Sequence, residues 1–145
     1  MLTFFEASDL LLTARSIGRG KPLCNNTRLK YYRVGSEIYF YIVLHQTTII
    51  KIHTNGLYIL NTGGYYTNTT KNLINKYSPA CITQENYEWF LHHYNYSTGL
   101  EEKIKFFDGI VVDKRGKPII HNRFCDKKTY KQQINIILDE IDKII

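Results

Sequence analysis

The sequence predicts an α+β fold: an antiparallel sheet with a short N-terminal helix, a short mid-chain helix and a long C-terminal amphipathic helix. Three observations lead there. Runs of β-branched and aromatic residues, punctuated by turn dipeptides, fill the middle of the chain, as antiparallel strands require. Apolar residues recur at helical spacing near residues 6–17, 70–77 and 126–145. The chain has 145 residues, 43% of them hydrophobic and 22% charged, which is the size and balance of one globular domain and excludes a disordered or collagen-like chain.

The elements follow in order. Leu10, Leu11, Ala14 and Ile17 share one side of the first helix, and Gly18 and Gly20 end it. Residues 20–27 are too rich in Gly, Pro and Asn for regular structure. Residues 29–34 read as a strand with basic outward positions, Gly35-Ser36 as a turn, and residues 38–45 as a central strand. Residues 48–53 and 57–61 form a hairpin around Asn55-Gly56, the strongest short hairpin signal. A stretch rich in Gly and Thr then leads into a helix over residues 70–77, capped by Thr69 or Thr70 and closed by Pro79. Residues 81–83 and 87–93 pair about Gln84-Glu85-Asn86, residues 103–107 and 110–113 are further strands, and residues 118–120 are extended. Asp126 caps the last helix, whose Tyr130, Ile134, Ile137, Leu138 and Ile141 form one stripe. The organisation expected is a single domain over residues 1–145.

Charge is unevenly distributed. The net charge is +6. Between Leu10 and Gln84 stand one acid, Glu37, and nine bases: Arg15, Arg19, Lys21, Arg28, Lys30, Arg33, Lys51, Lys71 and Lys76. One-sided charge of this kind attracts polyanions, although a solvated surface kept for solubility accounts for it too. Cys24, Cys81 and Cys125 form no CxxC pair and do not suggest a disulfide framework. None of the histidines has a familiar zinc spacing with a cysteine. No stretch approaches the ~20 apolar residues of a membrane helix, and the N-terminus lacks the pattern of a secretory signal.

Several blocks of residues occur together in a telling order. They are Asn25-Asn26-Thr27-Arg28-Leu29, Leu44-His45-Gln46-Thr47-Thr48-Ile49, Leu60-Asn61-Thr62-Gly63-Gly64-Tyr65, Thr67-Asn68-Thr69-Thr70-Lys71 and Phe106-Phe107-Asp108-Gly109. Over residues 21–113 this order resembles a small family of bacteriophage- and plasmid-borne proteins with ANNT, LNSGGW, TTK and FYDG-like blocks. Thr48 stands where that family often has Asp, Thr62 where it has Ser and Tyr65 where it has Trp. The resemblance implies a phage or mobile-element origin, and with it a bacterial host cytoplasm, but no activity.

Two constellations point to binding. Gly63, Gly64, Thr67, Thr69 and Thr70 precede a helix N-terminus, where free N–H groups and hydroxyls can cradle an anion. The same residues serve equally as a turn and a helix cap, and the spacing is not that of a Walker A motif. Tyr31, Tyr32, Tyr39 and Tyr41 interleave with Arg28, Lys30 and Arg33, as rings that stack bases beside cations that track phosphates would; core packing is the plainer role for such rings. His45 could act as a base with Asp108, and Asp108 with Asp113 could pair as carboxylates, but Asp-Gly is first a turn signal.

The reading that follows is a non-enzymatic phage accessory protein binding nucleic acid through Arg28, Lys30, Tyr31, Arg33, Tyr65, Tyr66 and Lys71, with an anion held at the Gly63–Thr70 loop. It implies no catalytic residue, metal or cofactor. A phage inhibitor of a host defence or nucleic-acid-processing protein is the alternative, and a nucleotide- or phosphodiester-acting enzyme the third. Self-association through the C-terminal stripe is compatible with all three.

Overall fold

The β-branched and aromatic runs pair as antiparallel strands, and they do so in two separate sheets. A computed structural model describes residues 1–119. Helix α1 spans Phe4–Leu11, and strands β1 to β5 span Lys21–Cys24, Thr27–Val34, Glu37–Leu44, Thr47–Ile52 and Tyr58–Leu60. Helix α2 (Asn68–Tyr77) follows, then β6 (Cys81–Glu85), β7 (Glu88–Asn95), β8 (Leu100–Lys105) and β9 (Ile110–Val112). Six strands form one sheet in the order β1-β2-β3-β4-β5-β9, and β6-β7-β8 form the other.

This overturns the α+β class and its single sheet. Nine strands dominate the described residues, and the two helices have only 8 and 10 residues. The long helix expected over residues 126–145 lies outside the described residues. The first helix also differs from expectation. Thr3 caps it by accepting from the Glu6 N–H, while its hydroxyl donates to the Glu6 carboxylate, so it starts early. It stops at Leu11, and the Thr13 hydroxyl donates to the Leu10 carbonyl there. Residues 20–27, expected to be irregular, contribute β1. Pro22 is accommodated because β1 is an edge strand, where a missing N–H costs little.

The Asn55-Gly56 hairpin forms as expected, with Lys51 opposite Ile59 and the Leu57 N–H bonded to the Asn55 side chain. Between β3 and β4 the pairing passes from Ile42↔Ile50 to Val43↔Thr48. Ile49 is therefore an extra residue, and both Ile49 and Ile50 turn into the core. After β5 the chain leaves the large sheet through α2 and the whole small sheet, then returns as β9 beside β5. Leu29, Phe40, Ile42, Ile50, Ile52 and Leu60 on the inner face of the large sheet pack with Ile74 of α2 and with Trp89 and Leu91 of the small sheet.

Strand polarity places four connections at one end of the large sheet. These are the Asn25-Asn26 turn, the His45-Gln46 turn, the exit from β5 and the Asp108-Gly109 turn.

Candidate functional site

At that end, the blocks that carry the resemblance meet. The His45 N–H donates to the Asn26 carbonyl at 2.7 Å, joining the first two turns. Gly63 packs on Thr47 so closely that a Cβ at Gly63 would lie 2.7 Å from the Thr47 methyl; its φ of +63° also favours glycine. Asp108 Oδ1 accepts from both the backbone N–H and the hydroxyl of Thr62, each at 2.7 Å. The Gly109 N–H donates to the Leu60 carbonyl. Tyr66 packs edge-on against Trp89, ring centroids 4.9 Å apart, and meets Phe106.

These contacts enclose a cleft of about 790 Å³. One wall is Leu44, His45, Gln46, Thr47 and Ile49 from the β3–β4 turn. The other is Thr62, Tyr65, Thr67, Thr69 and Thr70 from the loop before α2. Thr67, not the expected Thr69 or Thr70, is the N-cap of α2: its Oγ1 accepts from the Thr70 N–H and pairs with the Thr70 hydroxyl. The Gly63 and Gly64 N–H groups donate to Asn61 Oδ1 and Thr62 Oγ1, so these donors are engaged within the loop. Tyr65 is 66% exposed at the cleft. The Tyr66 hydroxyl is pushed above its ordinary pKa, first by burial and then by the Asp108 carboxylate, with Thr62 and Lys105 pulling the other way.

The remaining expected residues fall on two faces. Arg28, Lys30 and Tyr32 project from the outer face of β2, opposite Val43, Tyr41 and Tyr39. Tyr32 stacks on Tyr41 at 6.0 Å, and the Lys51 ammonium lies 5.0 Å from the Tyr39 ring and 5.7 Å from that of Tyr41. Tyr31 and Arg33 share the opposite face with Leu29, and the Arg33 guanidinium bonds the Gly35 carbonyl at the far turn. Tyr65, Tyr66 and Lys71 belong to the cleft end. The fold therefore brings the Gly63–Thr70 residues together with His45 but does not join them to Tyr31 and Arg33 in one patch.

Asp108 and Asp113 are separated by β9, and each organises a turn. Asp113 Oδ1 accepts from the Arg115 and Lys117 N–H groups. The sequence reading missed Asn75, whose amide donates to the Ile82 carbonyl and whose oxygen accepts from the Ile82 N–H. A lone Asn on a polar helix face carries no signal of such a long-range bracket.

Charge sorts by sheet. Among the described residues all four ion pairs lie in the small sheet: His92–Glu101, His93–Glu102, Lys103–Glu85 and Lys105–Glu88. Arg28, Lys30 and Lys51 of the large sheet have no carboxylate partner among the described residues.

A protein-family model described as Kyanoviridae Gp96 protein matches residues 16–113, a stretch that spans every block converging on the cleft. No curated protein and no solved structure matches the chain.

Proposed function

The chain belongs to the Kyanoviridae Gp96 protein family of phages, and from that premise we propose that it is an accessory protein that binds nucleic acid through the outer face of its large sheet. Arg28 and Lys30 contact phosphates, and the exposed Tyr32 offers a ring to bases. The observation that carries this reading is the sorting of charge. The acids of the small sheet are matched by its own Lys and His residues, while Arg28 and Lys30 of the large sheet are exposed and have no carboxylate partner among the described residues. Such a field favours a polyanion, and the interleaved tyrosines favour one with bases.

Fluorescence anisotropy with single- and double-stranded DNA and RNA at two salt concentrations tests it. Binding is expected to weaken with salt, as counterion release requires, and to weaken further in the Arg28→Ala and Lys30→Ala proteins. Binding insensitive to salt, or unchanged in both variants, overturns it. The rival reading, engagement of a host protein, draws on Tyr87 and Tyr96, exposed at the turns of the small sheet. A stoichiometric complex with a host factor in the absence of nucleic acid favours that reading instead.

A further inference from the structure

We infer that the cleft between the β3–β4 turn and the loop before α2 receives one unstacked nucleobase. This deepens the nucleic-acid reading of the basic face and rests on it. Among the described residues, no Lys, Arg, Asp or Glu lines the cleft. Thr62 and Thr70 are buried walls whose hydroxyls are engaged with Asp108 and Thr67. The Gln46 amide, the His45 ring and the Thr47 and Thr69 hydroxyls make no hydrogen bond with a described residue.

Those uncommitted groups combine donors with acceptors. A phosphate presents acceptors alone and calls for cations, and none of the described residues lining the cleft carries a fixed positive charge; the Gly63 and Gly64 N–H groups are bonded within the loop as well. A nucleobase edge presents donors and acceptors side by side, which is what an amide beside hydroxyls can match. The exposed Tyr65 ring supplies a stacking surface, and Leu44 with Ile49 supplies apolar contact. The volume of about 790 Å³ lies within the roughly 300–1,000 Å³ of small-ligand sites. The cleft also lies at the sheet end where β2 begins: Thr27 pairs with Leu44, and Arg28, the first cation of the outer face, pairs with Val43. A strand whose backbone follows Lys30 and Arg28 runs toward this end.

Uncharged nucleosides separate this pocket from the phosphate contacts. The full chain is titrated with adenosine, guanosine, cytidine and uridine in turn, at low and high salt, and followed by NMR at Gln46, Thr47, Tyr65 and Thr69. At least one nucleoside is expected to bind saturably and equally at both salt concentrations. Tyr65→Ala should weaken it at least roughly fivefold, as loss of a stacking ring does. Gln46→Ala should weaken it too, and Arg28→Ala should leave it unchanged. Silence with all four nucleosides overturns the pocket. So does stronger binding of methyl glucoside, which would mark a sugar site, or a response confined to nucleoside monophosphates and lost with salt, which would mark an anion site. An abasic oligonucleotide distinguishes the two readings. If it binds as tightly as the normal strand while nucleosides are silent, the base pocket fails and the phosphate reading stands. If neither strand binds, the reading beneath the pocket fails.

Discussion

Single residues hold the cleft open, and their contributions can be separated. Gly63 and Gly64 both have positive φ, at +63° and +90°, so either replacement by Ala incurs backbone strain of about 1 kcal/mol. Only at Gly63 does the added Cβ meet a neighbour, the Thr47 methyl at 2.7 Å; at Gly64 nothing lies within 4 Å. Gly63→Ala is expected to lower stability more than Gly64→Ala in urea unfolding, by an excess of about 1–2 kcal/mol. Thr47→Ala should recover much of that excess in Gly63→Ala and none in Gly64→Ala. Tyr58 makes a second residue-scale case. It is buried, and its hydroxyl donates to the Leu2 carbonyl at 2.8 Å. Burial, then the Glu6 charge, raises its pKa above 10.0. The neutral form is therefore the one the fold favours. Its contribution is fully present below the unfolded pKa and is lost as pH climbs from about 10 through the folded value. Melting temperature should fall across that alkaline window in the native protein and fall less steeply in Tyr58→Phe, which at neutral pH loses about 1 kcal/mol with the hydrogen bond.

At the scale of elements, α2 joins the two sheets and presents the second wall of the cleft. Its buried side, Thr70, Leu73 and Ile74, meets the core, and Asn75 clamps Ile82 at the start of the small sheet through two bonds of 2.9 and 2.8 Å. Asn75 thus acts as a substitute strand partner for the edge strand β6. Asn75→Ala removes both bonds and is expected to cost about 2–3 kcal/mol in urea unfolding. Asn75→Asp keeps the acceptor for the Ile82 N–H but sets a carboxylate oxygen against the Ile82 carbonyl, so it should not restore the lost stability. The α2 position was legible beforehand because Leu73, Ile74 and Tyr77 recur at helical spacing. Its cap was not, since Thr67, Thr69 and Thr70 are chemically equivalent and only the geometry of the entering loop selects Thr67. Likewise β1 was hidden by its Pro and Asn neighbours, because an edge strand needs only one ladder.

At the scale of the whole molecule, the uneven charge along the chain becomes a division between sheets. Apart from β9, each sheet is built from strands close in sequence, so the acid-poor segment became the acid-poor sheet. If Arg28 and Lys30 contact phosphates, each loss should weaken binding about equally across nucleic-acid sequences. Each should also lower the slope of log affinity against log salt by about one. A base-specific effect should appear only with Tyr65→Ala or Gln46→Ala. The described helices include none long and apolar enough to cross a membrane, which matches the low apolar continuity of the sequence.

The sequence by itself determined the local elements: the Asn55-Gly56 hairpin, the central strands, a helix after the threonine block, and the excess of bases before residue 84. It also pointed to a phage family, since unusual blocks in a fixed order need no structure to be noticed. These features depend on neighbours within a few residues or on composition alone. Only the tertiary structure decided that the strands divide between two sheets, that Arg28 and Tyr31 face opposite ways, and that Asp108 anchors Thr62 across 46 positions of chain. Partner choice among antiparallel strands is set by long-range packing of their apolar faces, and local pattern is nearly silent about it. The cleft belongs to that second class, because its walls become neighbours only when the chain leaves the large sheet after β5 and returns beside it as β9.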